Sequence, residues 1–304
     1  METWIAVTIA AAFLQNIRSA LQKHLKGKMG TTGATFVRFG FGAPFAALFV
    51  FLLAQSGHPL PAPSLKFLGW TVLGGATQIA ATFLLLHLFS FRNFTVGTAY
   101  SRTEPAQAAL FALVFFGETL SPGALVAIAI SVAGVMLISV ARSPFTPLSL
   151  VASVFTRTAG IGLASGALFG LAAVSYRAAG LSLLTGLPAP DSLMQAGFTL
   201  LVTIVVQSLA MLAWMAWKEP SEFGRIARAW KISALVGLVG ASASFGWFFA
   251  FTLQQAAVVK ALAQVEMLFT FASSVLFFRE HVNRLEIAGC AAIVTGIVVL
   301  VLMR

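Results

Sequence analysis

Long apolar runs separated by short polar breaks dominate the chain. They fall at 4–23, 33–55, 67–90, 95–117, 122–141, 158–178, 193–217, 232–253, 256–278 and 285–303. Each is close to the roughly 20 helical residues that cross a bilayer core of about 30 Å. None alternates apolar and polar positions as a barrel strand does, and open sheet edges are not tolerated in lipid. The pattern therefore predicts an all-α polytopic membrane protein with ten transmembrane helices. The longer connections, near 56–66, 142–157, 179–192 and 218–231, hold the Pro, Gly and charge that mark loops. Pro44 and Pro105 fall inside runs, where a missing N–H can kink a helix.

Composition agrees with a membrane setting. Of 304 residues, 59% are hydrophobic and 9% charged, with a mean hydropathy of +0.94; a soluble chain carries about 25% charge. The formal net charge of +10 would suggest a nucleic-acid partner in a soluble protein. Here the basic residues sit between apolar runs, with no aromatic-basic interleaving and no zinc-type spacing, so no nucleic acid is expected. Loops after odd-numbered spans carry Lys23, Lys26, Lys28, Arg92, Arg142, Arg157, Lys218, Arg225, Arg228, Lys231, Arg279 and Arg284, against Lys66, Arg177 and Arg304 on the other side. By the positive-inside rule both termini lie outside the cytoplasm. The single cysteine, Cys290, excludes an internal disulfide. The start Met-Glu-Thr-Trp lacks a basic leader, so the run from Trp4 to Leu21 stays as a first span.

Shifting the second half over the first by 162 positions places Glu266 on Glu104, Glu280 on Glu118, Gly237 on Gly75, Gly296 on Gly134 and Phe277-Phe278 on Phe115-Phe116. Matches among apolar residues are cheap in so biased a chain. Two acid-on-acid matches are not, with nine acids in all. Spans 3–5 thus repeat as spans 8–10. A five-span unit, being odd, must enter the membrane in opposite directions in the two halves, which is the inverted arrangement of many secondary transporters.

Thr103-Glu104-Pro105 through Phe115-Phe116-Gly117-Glu118-Thr119, with Gly123 and Val132-Ala133-Gly134-Val135, resembles the EamA-type signature of the drug/metabolite transporter superfamily. Arg38-Phe39 resembles its early pattern, and Glu266, Phe277-Phe278-Arg279-Glu280 and Thr295-Gly296-Ile297 repeat it. The resemblance implies two inverted five-helix repeats, 1–141 and 158–304, joined by 142–157, around a central cavity lined mainly by spans 1, 3, 4, 6, 8 and 9. It also implies alternating access, and termini in the cytoplasm, against the loop charge. Met267 stands where the family commonly has a proline like Pro105, so the second half is expected to lack the matching kink.

Ionisable groups at membrane depth are costly and mark candidate function. Glu104 and Glu266 each precede the acid ending their span, Glu118 or Glu280, by 14 residues, about 21 Å at 1.5 Å per residue. Either acid could exchange protons or bind a cationic group. Either could instead be a paired structural charge, with Arg102 or Arg38 beside Glu104 and Lys260 beside Glu266. Arg18, Arg38, Arg102 and Lys260 could hold a carboxylate or phosphate, or lock helices and snorkel. Four internal cations against two acids favour an anionic or zwitterionic solute. Gln15, Asn16, Gln78, Tyr100, Ser244 and Gln264 add polar groups to the same spans, with interhelical bonding as the alternative. Trp247 is assigned to packing. Ala127 and Gly134, like Gly289 and Gly296, are small residues seven apart, a slim face for close helix contact.

These features predict a secondary transporter, carrier or exporter, of a small polar metabolite, anionic or zwitterionic such as an amino acid, with proton coupling as an option. It would be a multi-pass protein of a cell membrane of the bacterial inner-membrane kind, as a monomer or homodimer among lipid. A lipid or amphiphile translocator is the alternative. No Walker loop is present to use ATP, no cofactor or metal is expected, and the scattered His24, His58, His87 and His281 offer no enzyme site.

Overall fold

A computed structural model describes residues 2–25, 27–88, 91, 94–141, 153–276 and 283–303. Lys26, Arg92, Arg142, Phe277, Phe278, Arg279, Glu280, His281 and Arg304, used in the charge, motif and histidine arguments above, lie outside them.

Every regular element among the described residues is helical. In chain order these are α1 (Thr3–Leu25), α2 (Thr31–Gly40), α3 (Gly42–Gln55), α4 (Leu65–Leu88), α5 (Phe94–Ser101), α6 (Glu104–Phe116), α7 (Pro122–Ala141), α8 (Arg157–Ser182), α9 (Ser192–Lys218), α10 (Ser221–Arg228), α11 (Trp230–Leu253), α12 (Ala256–Leu262), α13 (Val265–Leu276) and α14 (Arg284–Met303). Short 3₁₀ turns occupy Ser153–Phe155 and Leu183–Gly186. Among the described residues, eight stretches are long and apolar enough to cross a membrane: α1, α2 with α3, α4, α7, α8, α9, α11 and α14. The remaining two expected spans, 95–117 and 256–278, are not continuous helices. Each is divided near its middle, into α5 and α6 and into α12 and α13.

Packing separates the chain into two units, Met1–Gly75 with Ser175–Leu253, and Ala76–Val174 with Gln254–Arg304. In the first, α11 packs on α1, α2 and α3, and α9 packs on α2, α3 and α11. The α2–α3 interruption at Phe41 follows from Pro44, which has no N–H for the carbonyl of Gly40. Gly237 of α11 lies against the backbone of Phe41, where a Cβ would clash. Asp191 caps α9 by accepting the Met194 N–H at 3.0 Å, and its other oxygen lies 2.6 Å from His58 Nδ1. Tyr176 stacks on Phe248 at 4.5 Å and donates its hydroxyl to the Gly74 carbonyl at 2.9 Å.

In the second unit α7 and α14 lie together along their small-residue faces. A Cβ on Gly134 would fall 2.7 Å from the Gly289 oxygen and 2.9 Å from the Ile293 nitrogen; one on Gly296 would fall 3.0 Å from both the Ala127 oxygen and the Ser131 nitrogen. The 162-position shift carries Gly134, Ala127 and Ser131 onto Gly296, Gly289 and Ile293, so the two contacts are one contact repeated. The helix ends show the same exchange. Ser121 Oγ donates to the Met303 carbonyl at 3.3 Å, and Asn283 Nδ2, its counterpart after the shift, donates to the Ala141 carbonyl at 2.9 Å. Reciprocal pairing of equivalent residues is the signature of two-fold symmetry, here between inverted repeats in one chain.

Candidate functional site: two interrupted helices

The interruption between α5 and α6 has a cause in the sequence. Pro105 cannot donate to the Ser101 carbonyl, and the chain turns through tighter bonds: Arg102 N–H to Ala99 O at 3.1 Å and Thr103 N–H to Tyr100 O at 3.2 Å. The hydroxyls of Ser101 and Thr103 bond back to Thr98 and Tyr100. Thr103 Oγ1 also accepts Gln107 Nε2 at 3.0 Å. Glycines of α8 pack on this backbone. Gly162 lies on Gly97, Gly166 on the carbonyl of Ser101, and Gly170 on Glu104 and Ala108.

The second interruption corrects the expectation drawn from Met267. With no proline there, the helix still breaks between α12 and α13, one residue from where the shift places it. Gln264 N–H bonds to Ala261 O at 3.2 Å, Glu266 N–H to Ala263 O at 3.0 Å and Met267 N–H to Gln264 O at 2.9 Å. These i→i−3 bonds tighten the turn without help from a prolyl ring. The buried Gln264 side chain donates Nε2 to the Arg102 carbonyl at 3.3 Å. Arg102 and Gln264 are equivalent after the shift, so the two interruptions meet.

Glu104 opens α6 and Glu266 lies in the first turn of α13, where helix N-termini favour negative charge. Lys260 of α12 reaches Glu104: its Nζ lies 2.8 Å from Oε1, an ion pair by distance without the angles of a hydrogen bond. Both side chains keep about a fifth of their surface accessible, Lys260 22% and Glu104 19%. The arrangement is one-sided, because the shift carries Lys260 onto Thr98. Gln78 lies on α4 in the same unit, its carbonyl accepting the Thr82 hydroxyl at 2.8 Å. Tyr100 is buried among Ala99, Val140 and Ala159.

The first unit holds the other predicted residues. The stems of Arg18 and Arg38 both lie over Gly240, whose Cβ would be 3.2 Å from Arg18 Cδ and 3.5 Å from Arg38 Cγ. Arg38 also lies 5.1 Å from the centre of the Phe39 ring. Gln15 Oε1 accepts the indole N–H of Trp247 at 3.1 Å, so Trp247 does more than fill space. Asn16 lies beside Gln15 on α1, and Ser244 is half-buried on α11. The repeat pointed to the acids. The reach of Lys260, the roles of Thr103 and Gln107 and the α8 glycines carry no comparable signal in sequence. Among the described residues no three His, Cys, Asp or Glu side chains gather as metal ligands.

Reciprocal helix contacts and paired interruptions are the arrangement of a membrane protein built from inverted repeats. Residues 2–140 and 159–302 match the EamA-like transporter family, and the chain belongs to it. This places it among transporters of the drug/metabolite type. A solved structure described only as a crystal structure of a protein is similar in fold, with a TM-score of 0.73 at 16% identity, covering 100% of this chain and 99% of that one. No curated protein matches the chain.

Proposed function

We propose that the protein is a secondary carrier moving a small polar metabolite with an anionic group, such as a zwitterionic amino acid, by alternating access with proton coupling. The Lys260–Glu104 pair beside the two interruptions carries this reading. The Lys260 ammonium is paired with the Glu104 carboxylate, and a solute carboxylate offers the same charge. The solute and Glu104 then compete for Lys260, and a proton on Glu104 decides between them. Glu266, without a lysine at the equivalent position, serves as the second proton acceptor. Interrupted helices suit this chemistry, since half-helix N-termini and freed carbonyls provide polar groups at depth.

In this reading α5 with α6, and α12 with α13, each cross as one discontinuous span, completing ten. Arg102 and Gln264 add polar groups beside the interruptions, and Gln78 of α4 is a further candidate in the same unit. Arg18, Arg38, Gln15, Asn16 and Ser244, in the first unit, are further candidates for solute contact. The loop charge supports termini outside the cytoplasm.

Thermal stability of the purified protein against amino acids, organic acids, nucleosides and cationic drugs tests the solute class, because a ligand of the folded state raises apparent stability. An anionic or zwitterionic hit whose effect disappears in Lys260→Gln supports the proposal. Stabilisation by cationic drugs alone overturns it. Glu266→Gln is expected to weaken the pH dependence of uptake in vesicles while the protein stays folded. Unchanged pH dependence removes Glu266 from the mechanism.

A further inference from the structure

We propose that α10 and the helix ends flanking it form a docking surface for anionic phospholipid headgroups. α10 joins the end of α9 to the start of α11, two membrane-spanning helices, so it lies at a membrane surface. Its charges are sorted by sign. Glu222 is 2% exposed and turned inward. One carboxylate oxygen accepts the Gly30 N–H at 2.8 Å, and the other takes Arg225 Nη1 at 2.7 Å. Gly30 and Gly33 have no side chains where this carboxylate sits; a Cβ on Gly33 would overlap it. Glu219 likewise accepts the Thr32 hydroxyl at 2.9 Å. Both acids are therefore spent on fastening α10 to the start of α2.

The cations remain on the outside. Lys218, Arg225, Arg228 and Lys231 are all exposed, and Arg225 keeps 47% of its side chain accessible despite its bond to Glu222. Large apolar rings stand among them: Trp214 is 48% exposed, Trp217 72% and Trp230 57%. Lys218 Nζ lies 3.8 Å above the Trp217 ring, and Lys231 Nζ lies 6.0 Å from the centre of Trp230. Indoles settle at the headgroup level of a bilayer, and lysine or arginine beside them meets phosphate. A soluble anion would use the cations and leave the indoles in water. An amphiphile with a negative head uses both.

The test is native mass spectrometry of the full-length detergent-purified protein, titrated with phosphatidylglycerol or phosphatidylcholine. The wild type is expected to retain phosphatidylglycerol preferentially, and added salt is expected to weaken the preference. The variant K218Q/R228Q/K231Q is expected to lose the preference, with up to about fivefold less binding for each charge removed. Arg228→Gln and Lys231→Gln, made singly, give the same reading if the triple variant does not fold. An unchanged preference in these variants overturns the proposal. So does displacement of the lipid from the wild type by an equal concentration of inorganic phosphate, which would show that a soluble anion suffices.

Discussion

Gly134 lies where two repeat-related helices touch backbone to backbone, and an alanine there has a calculable consequence. Its Cβ would fall 2.7 Å from the Gly289 oxygen and 2.9 Å from the Ile293 nitrogen, whereas ordinary contact begins at 3.4 Å. Neither neighbour is a flexible side chain, so α7 and α14 must part by about 0.7 Å at that level, and close packing elsewhere resists the shift. Overpacking of this kind costs about 1–3 kcal/mol. Replacing glycine in a helix returns about 0.5–1 kcal/mol. The expected net loss is about 1–2 kcal/mol, with no hydrophobic force between helices in lipid to offset it. Gly296→Ala, the repeat mate, should lose a similar amount. Once either alanine has parted the helices the other meets less resistance, so the double variant should lose less than the sum. Gly160→Ala is the control, because a Cβ there meets nothing within 4 Å; it should be neutral or slightly stabilising. The assay is reversible unfolding of the purified variants in one detergent. If Gly134→Ala behaves like Gly160→Ala, the contact is not backbone-tight and the reciprocal packing argument fails.

Glu104→Gln leaves Lys260 without its carboxylate and should destabilise by about 1–2 kcal/mol, less than the 3–5 of a fully buried pair because both groups are partly accessible. Adding Lys260→Gln should recover part of that loss in a double-mutant cycle. Gly166→Ala places a Cβ 2.8 Å from the Ser101 carbonyl, so transport should fall more steeply than stability if this contact must slide during the cycle. Uptake rates set beside unfolding midpoints check it. Glu222→Ala removes the acceptor of the Gly30 N–H and should cost about 1–3 kcal/mol, with faster hydrogen exchange confined to the start of α2 and to α10.

Much of the architecture was legible in the chain because lipid leaves few choices. A run of twenty apolar residues must be helical, and among the described residues seven such runs are single helices, an eighth being broken only at Phe41. Rare acids made the repeat visible against a background of Ala, Val and Phe, and the small residues at 127, 134, 289 and 296 announced the slim faces that meet. The candidate site was legible only in part. Pro105 marked one interruption, but nothing at Met267 marks the other, which depends on tight backbone turns and on Gln264 bonding to a distant carbonyl. Sequence set Lys260 beside Glu266; its ion pair with Glu104, on another helix, is a pairing that sequence spacing does not show. The inward turn of Glu222 was equally hidden, since an exposed-looking acid on a short basic helix gives no hint of a glycine pocket.

Counterflow in vesicles holding the purified protein tests the carrier assignment most directly. Vesicles preloaded with the unlabelled solute that best stabilises the protein should transiently accumulate the labelled solute, with saturable kinetics. Lys260→Gln, verified as folded, should abolish that overshoot. Linear flux with no overshoot in the wild type, or an undiminished overshoot in Lys260→Gln, would contradict an alternating-access carrier working through the Lys260–Glu104 pair.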